Sequence, residues 1–228
     1  MTVSSEIVED LEPITLVGAG RLDLGDIALA RGHARRVVAA DGGGIACLDA
    51  GIEPELIIGD MDSSAGLEGR DTGAARILRI DEQDSTDFDK ALRHIRSPLV
   101  IGVGFSGARI DHELACYNAL VRHAERRCLL IGGEDLVFLA PPHITLPLAA
   151  GTRVSLFPMG EVQGRSDGLR WPIEGLRFAP DGRIGTSNVA DGPVVLEMTA
   201  AKMLVMVPRA CLDLVVAALL ETEAGWTR

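Results

Sequence analysis

The feature that most limits the fold of this chain is a regular alternation up to about residue 135. Short apolar runs, rich in leucine and β-branched residues, occur at residues 14–17, 36–39, 56–58, 77–80, 99–103 and 129–131. Continuous apolar runs of this length are typical of strands buried on both faces of a parallel sheet. Residues 87–95 and 111–126 instead carry apolar side chains at helical spacing. The alternation therefore predicts an N-terminal three-layer α/β domain with a mostly parallel sheet.

The pattern changes after Pro141. The strand-like runs there are short and are separated by Gly, Pro and Asp without helical segments, at residues 143–147, 153–158, 185–188, 194–199 and 203–207. This pattern is typical of an antiparallel sandwich or barrel, and a final helix is expected at about residues 210–223. We therefore expect two closely packed domains, residues 1–140 and residues 141–228.

Composition and charge exclude several classes of protein. Hydrophobic residues make up 47% of the chain and charged residues 24%, which is ordinary for a globular protein. The net charge of −11 and the absence of a long basic run argue against a nucleic-acid or anionic-membrane partner. The acidic start does not resemble a signal peptide, and no apolar run approaches the roughly 20 residues of a membrane span. With four scattered cysteines and no CxxC pair, we expect a cytoplasmic protein with reduced cysteines and no structural zinc.

Four acidic or glycine-rich segments lie where strands of the first domain end. They are residues 40–44, 59–63, 83–90 and 104–112. Such loops meet at one edge of an open parallel sheet, where ligands bind. They would bring together the carboxylates of Asp41, Asp60, Asp62, Asp87 and Asp111, which repel one another unless a cation is present. Mg²⁺ prefers a few carboxylates together with phosphate oxygens and water, so the segments predict a site for magnesium and phosphate.

Simpler interpretations exist for most of these segments. Residues 41–42 read as an ordinary turn, and residues 86–89 match a helix-capping pattern. The two carboxylates within residues 60–62 are harder to explain by packing, because they directly follow a buried strand. His112 could act as a base or lie at the surface, and we assign it no role.

Residues 102–107 read Gly-x-Gly-x-x-Gly between a predicted strand and a predicted helix, as in dinucleotide-binding dehydrogenases. The motif occurs late in the domain, whereas the fingerprint usually marks the first strand. The dehydrogenase interpretation also leaves the acidic segments without a purpose. No Gly-x-x-x-x-Gly-Lys-Ser/Thr motif is present, so P-loop kinases and ATPases are excluded.

Taken together, the segments resemble the thiamine pyrophosphokinase family over about residues 38–207. The motifs that carry the resemblance, in family order and spacing, are Asp41-Gly42-Gly43, residues 59–63, residues 83–92, residues 107–112, Gly168-Leu169-Arg170-Trp171 and Gly185-Thr186-Ser187-Asn188. Ala108 replaces a glycine that is usual in the family, and the tail after Val207 is longer and more helical.

The resemblance implies a fold, a reaction and an assembly. The fold is an α/β domain joined to an antiparallel β-sandwich domain. The reaction moves the pyrophosphoryl group of ATP to the hydroxyl of thiamine, giving thiamine diphosphate and AMP. The assembly is a homodimer with the thiamine site at the subunit interface.

The resemblance also implies a role for individual residues. Metal ligands would be Asp41, Asp60, Asp62 and Asp87. Contacts to ATP would come from Asp41, Gly42, Gly43, Thr86, Lys90 and Arg109, and the catalytic set would be Asp60, Asp62, Asp87, Lys90 and Arg109. Contacts to thiamine would come from Gln83, Asp111, Trp171, Ser187 and Asn188.

Physical chemistry supports these roles and leaves alternatives open. Phosphoryl transfer needs positioning and charge neutralisation, which Mg²⁺ and two basic side chains supply. Either Lys90 or Arg109 could instead be a surface ion-pair partner. The indole of Trp171 can stack on a flat aminopyrimidine, but it could also be a core residue, and residues 187–188 could form an ordinary turn. A pyrophosphokinase for a hydroxymethylpterin-like alcohol and a non-catalytic nucleotide- or thiamine-binding homologue remain as alternative functions.

Overall fold

The computed structural model describes residues 8–61, 73–223 and 225–227. The described residues divide into two compact units. The first extends to Ala119 and includes Leu130–Gly133, and the second comprises Leu120–Leu129 and the chain from Glu134 onward. Domains of residues 1–140 and 141–228 stay a prediction, because compactness alone does not test whether each part folds or binds its own ligand.

The first unit is built on a parallel sheet. Its strands are β1 (Val8–Glu9), β2 (Ile14–Val17), β3 (Arg36–Ala40), β4 (Leu56–Gly59), β5 (Arg76–Arg79), β6 (Ile95–Arg96), β7 (Val100–Val103) and β8 (Cys128–Ile131). The main sheet has the order β8-β7-β2-β3-β4-β5, with parallel pairing from β7 to β5, and β1 pairs with β6 in a separate parallel pair. The strands β2, β4 and β7 are buried at every position, as the continuous apolar runs predict. The strand β5, at the edge of the sheet among the described residues, is mostly exposed, so the expectation of a strand buried on both faces is wrong for the run at residues 77–80.

Helices of the first unit pack against this sheet. They are α1 (Asp26–His33), α2 (Gly43–Asp49), α3 (Asp87–His94) and α4 (Ile110–Arg122). The predicted helices at residues 87–95 and 111–126 correspond to α3 and α4, within a few residues at their ends. The sequence did not predict α1 and α2, which are short and rich in alanine and glycine. The Thr86 side chain caps α3 by accepting a hydrogen bond from the backbone N–H of Asp89 at 3.2 Å, as the capping pattern predicts.

The second unit is antiparallel. It contains β9 (Asp135–Leu139), β10 (His143–Leu146), β11 (Arg153–Pro158), β12 (Gly164–Leu169), β13 (Gly185–Met198) and β14 (Met203–Pro208). A 3-10 turn (Arg209–Cys211) and α5 (Leu212–Glu221) follow, where a final helix is expected. The described residues contain no helix that is long and apolar enough to cross a membrane.

One long strand, β13, belongs to both sheets of this unit. Its first part pairs with β11, and its last residues pair with β10 on one side and β12 on the other. The expectation of two separate strands at residues 185–188 and 194–199 is therefore wrong: the Gly-Pro step at residues 192–193 lies inside the strand and is not a turn. Sharing a strand between two sheets lets them pack face to face. The predicted fold class, a three-layer α/β domain with an antiparallel β-sandwich domain, is confirmed.

Candidate functional site

Three acidic side chains converge at the carboxyl ends of the parallel strands. Asp41 follows β3, Asp60 follows β4, and Asp87 begins α3. One carboxylate oxygen from each lies within 4.8 Å of the others. The close approach needs a glycine at residue 59, since a Cβ there would lie 2.7 Å from the Cβ of Asp41. Asp62 lies outside the described residues.

Lys90 holds two of these carboxylates. Its Nζ donates hydrogen bonds to Asp60 Oδ2 at 2.9 Å and to Asp87 Oδ1 at 3.2 Å, and its side chain is only 1% exposed. Burial by itself would lower the pKa of Lys90, but the hydrogen bonds to Asp60 and Asp87 outweigh that effect and raise it. Lys90 is therefore a buried ammonium ion, and the alternative of a surface ion pair is wrong for this residue.

The remaining charge of the cluster is negative. Burial raises the pKa of Asp87, the hydrogen bond from Lys90 opposes this rise, and the charges of Asp41 and Asp60 add to it. Gln83 also lies at the cluster, where its Nε2 donates to Asp60 Oδ2 at 3.4 Å. Three carboxylates and one ammonium leave an excess of hard oxygen ligands, which is the donor set that Mg²⁺ prefers. The residues present thus fit a divalent cation.

A cavity of about 450 Å³ adjoins the cluster. Asp41 and Asp87 form part of its wall, together with the predicted ATP contacts Gly42, Thr86 and Arg109. Gly43 does not line the cavity but begins α2, where a Cβ would lie 2.0 Å from the backbone oxygen of Val17. His112, to which no role was assigned, also lines the cavity.

Sequence reasoning missed the glycine loop of residues 18–20 in the cavity wall. This loop packs backbone to backbone on the loop that follows β7, with hydrogen bonds from Gly18 N to Val103 O at 2.8 Å and from Gly20 N to Gly104 O at 2.7 Å. A Cβ on Gly18 would lie 2.5 Å from Gly104 O, so no larger residue fits there. A Gly-x-Gly directly after the first buried strand was a signal that could have located this wall.

Part of the cavity wall is apolar and includes residues to which no role was assigned from the sequence. The rings of Phe88 and Phe105 lie 4.6 Å apart between centroids at a tilt of 52°. Cys116 also lines the cavity, and burial raises the pKa of its thiol to about 12, so it stays protonated. The cavity thus combines acidic groups at one place with flat apolar surface suited to an aromatic ring.

The Gly-x-Gly-x-x-Gly stretch at residues 102–107 has a structural role here. Gly104 and Gly107 both have a φ of +76°, which favours glycine, and they shape the loop between β7 and α4. The N–H of Gly107 donates to a carboxylate oxygen of Glu113 at 2.9 Å. This amide therefore faces an acidic side chain, which is unfavourable for the pyrophosphate of a dinucleotide.

Arg109 and Asp111 lie near the start of α4 and bind each other. Arg109 Nη2 is 2.5 Å from Asp111 Oδ2, and the two side chains are 68% and 61% exposed. The hydrogen bond from Arg109 lowers the pKa of Asp111. Both are thus exposed ion-pair partners in this structure, as one of the sequence interpretations allowed for Arg109.

The second unit carries a separate polar region around Trp171. The residue is 55% exposed, so the interpretation of Trp171 as a core residue is wrong. Asn188, only 7% exposed, holds the backbone of Trp171 on both sides: Nδ2 donates to Trp171 O at 2.7 Å, and Oδ1 accepts from Trp171 N at 3.2 Å. Ser187 is exposed with a φ of +62° and donates its N–H to Ser155 Oγ at 3.0 Å. Both lie within β13, which rules out the interpretation of residues 187–188 as an ordinary turn.

Comparison with known proteins finds similarity to thiamine pyrophosphokinases, both in a family model and in individual sequences. The family model for the catalytic domain of thiamin pyrophosphokinase matches residues 29–131, which include Asp41, Asp60, Asp87 and Lys90. A thiamine pyrophosphokinase of Oryza sativa subsp. japonica is 29% identical over 163 residues, 63% of this chain and 61% of the relative. One from Arabidopsis thaliana is 30% identical over 161 residues, 60% of this chain and 58% of the relative. The chain thus spans about three-fifths of the length of the curated relatives it matches.

The fold resembles that of a solved structure over a larger part of the chain. The thiamin pyrophosphokinase structure from Candida albicans superposes with a TM-score of 0.73 at 14% identity, covering 91% of this chain and 95% of that one. The resemblance of this chain to the thiamine pyrophosphokinase family, predicted from its motifs, is confirmed.

Proposed function

We propose that this protein is a thiamine diphosphokinase, transferring the pyrophosphoryl group of ATP to the hydroxyl of thiamine and releasing AMP. The observation that carries the proposal is the cluster of Asp41, Asp60, Asp87 and Lys90 beside a cavity, within the segment that matches the family's catalytic domain. The similar proteins bear the names of thiamine pyrophosphokinases, which gives the reaction its substrates. The alternatives, a hydroxymethylpterin pyrophosphokinase and a non-catalytic homologue, have no observation in their favour.

Magnesium would be held by Asp41, Asp60 and Asp87, with Asp62 as a fourth ligand on the strength of the resemblance. The bound ion supplies neutralisation of phosphate charge when it is present. The protein's part is to keep three carboxylates within 4.8 Å of one another despite their repulsion. The buried ammonium of Lys90 does this by pairing with two of them.

ATP would bind in the cavity of the first unit. Gly42 and Thr86, at the N-terminus of α3, line this cavity, and the N-terminal end of a helix is favourable for anions. The apolar surface around Phe105 can accommodate the base. Arg109 lines the cavity, is largely exposed and pairs with the similarly exposed Asp111, so its guanidinium can turn toward phosphate oxygens. Catalysis then consists mainly of positioning and charge neutralisation.

Thiamine would be recognised by its flat aminopyrimidine and its cationic thiazolium. The exposed indole of Trp171 offers a stacking face and Ser187 offers an exposed hydroxyl, while the buried Asn188 would act by holding the backbone of Trp171 in place. On the strength of the resemblance, Gln83 and Asp111 would also contact thiamine.

The proposal includes a homodimer with the thiamine site at the subunit interface, in the cytoplasm. Apolar residues at the start of α4 support a protein contact near Asp111. Ile110 is 77% exposed and Leu114 is 57% exposed, and both lie on the same side of the helix as i and i+4 neighbours. Covering them in a dimer would remove apolar surface from water.

A direct assay tests the proposed function. Purified protein with Mg²⁺ and ATP should release AMP and form thiamine diphosphate only when thiamine is added. Replacing thiamine by a hydroxymethylpterin tests the related pyrophosphokinase, and we expect no AMP in that arm. Absence of AMP with both acceptors would favour the non-catalytic homologue and would overturn the proposal.

A further inference from the structure

Lys90 is an unusual residue in this chain, because it is a buried cation and lysine is rare in the sequence. It is one of only two lysines among 228 residues, and its side chain is 1% exposed. Asp60 and Asp87, which accept hydrogen bonds from it, belong to the group of carboxylates that fits a divalent ion. The ammonium and a divalent cation therefore need the same two side chains.

The metal-free protein depends on this pairing. An ammonium taken out of water needs compensating charges, and clustered carboxylates need a cation. Each satisfies the other while no metal is present. A divalent cation brings twice the charge of the ammonium and attracts the same oxygens more strongly, since Coulomb energy grows with charge.

We propose that the Lys90 ammonium is the resident counter-ion of the acidic cluster, and that a divalent cation displaces it from Asp60 and Asp87 toward the phosphate of the incoming nucleotide. This inference rests on the proposed magnesium site. Binding of metal alone leaves a buried ammonium with fewer partners, and binding of phosphate provides a new one. Metal and phosphate thus favour each other's binding, and by linkage the effect is equal in both directions.

Metal affinity in the absence of nucleotide tests the exchange. We compare Mn²⁺ binding to the wild-type protein, to Lys90→Met and to the control Lys202→Met by calorimetry or electron paramagnetic resonance. Lys202 is exposed in the second unit, so its replacement removes the same charge and leaves the Lys90 ion pairs intact. Lys90→Met should bind Mn²⁺ about tenfold more tightly or better, since the competing charge is gone, while Lys202→Met should match the wild type. Unchanged or weaker binding by Lys90→Met, or no binding by either protein at millimolar Mn²⁺, overturns the proposal.

A second measurement needs no variant and remains decisive if Lys90→Met does not fold. Selective ¹³C/¹⁵N labelling of lysine gives two side-chain signals in the wild-type protein, and Lys202→Met assigns them. Mg²⁺ should shift the Lys90 signal, a non-hydrolysable ATP analogue should shift it again, and the Lys202 signal should stay in place. A Lys90 signal that does not respond to Mg²⁺ overturns the exchange. The AMP-release assay is independent, so a protein that makes thiamine diphosphate but shows neither effect has the proposed function and lacks the exchange.

Discussion

The two polar regions of this molecule, the acidic cluster and the surroundings of Trp171, differ in burial and in the kind of interaction that holds them. In the first unit, Lys90 and Asp41 are 1% and 2% exposed, and Lys90 forms ion pairs with Asp60 and Asp87. In the second unit, Trp171 is 55% exposed and is held through neutral backbone hydrogen bonds from Asn188. A buried charged cluster is suited to phosphate and metal, whose charges need fixed partners. An exposed ring on a rigid strand is suited to a flat ligand that brings its own hydrophobic surface.

This difference has consequences for stability. The raised pKa of Asp87 means that the folded protein favours the neutral form of this carboxyl, whereas the raised pKa of Lys90 means that the fold favours the charged form of its partner. The Trp171 region carries no such conflict, because Asn188 satisfies the backbone groups beside the ring. We therefore expect substitutions in the two regions to change activity and stability in different ways.

The largest effect is expected from Asp87→Asn. Losing one carboxylate from the metal cluster should lower turnover by about a hundredfold or more, because charge stabilisation in the transition state is the main contribution. The melting temperature of the metal-free protein should change little, since the relief of repulsion with Asp41 and Asp60 offsets the loss of the Lys90 pair. Steady-state AMP release and calorimetry on one preparation measure both quantities.

Asp181→Asn is the matched control, because Asp181 is an exposed turn residue of the second unit. It should leave both turnover and melting temperature unchanged. An Asp87→Asn protein that keeps its turnover would remove Asp87 from the catalytic set, and a large drop in melting temperature would show that the cluster stabilises the fold instead.

The sequence predicts the first region better than the second. The proximity of Asp41, Asp60 and Asp87 could be predicted, because loops that follow parallel strands meet at one edge of the sheet. The burial of Lys90 could not be predicted, since a long flexible side chain reaches either solvent or a partner from the same backbone position. The loop at residues 18–20 was missed because its glycines carry no functional group.

For the second region, the roles of Trp171, Ser187 and Asn188 could be predicted only from the family resemblance. Nothing in the spacing of the runs at residues 185–188 and 194–199 distinguishes two strands from one bent strand, because Gly-Pro usually marks a turn. The exposure of Trp171 was also open, since tryptophan is more often buried than exposed. Long-range pairing with β12 and the hydrogen bonds of Asn188 decide both questions, and neither is encoded locally.

A smaller effect is expected from Trp171→Ala. Loss of ring stacking and of contact area should raise the KM for thiamine by roughly ten- to a hundredfold, at about 1.4 kcal/mol per decade. The KM for ATP and the melting temperature should hardly change, since the indole is more than half exposed. Trp171→Phe is the matched variant and should recover much of the affinity, because a smaller ring keeps a flat face. A lower melting temperature with an unchanged KM for thiamine would remove Trp171 from the site.

The smallest effect is expected in the pH dependence of stability. Its sign should differ between Asp87 in the acidic cluster and Asp10, which pairs with Arg36. The raised pKa of Asp87 means that the folded state binds its proton more tightly than the unfolded state, whose carboxyl titrates at about 3.9. The stability that this proton gives is present at low pH and is lost as pH rises through the higher pKa of the folded state. The melting temperature of Asp87→Asn minus that of the wild type should therefore increase between pH 4 and pH 7, by on the order of a few degrees. Asp10 gives the opposite sign, because its hydrogen bond with Arg36 lowers the pKa of its carboxyl. Asp10→Asn should be less stable than the wild type at pH 7, and the difference should shrink as pH falls. Calorimetry of both variants without metal measures the melting-temperature difference from the wild type as a function of pH. Slopes of the same sign for the two variants would contradict the opposite pKa shifts of Asp87 and Asp10.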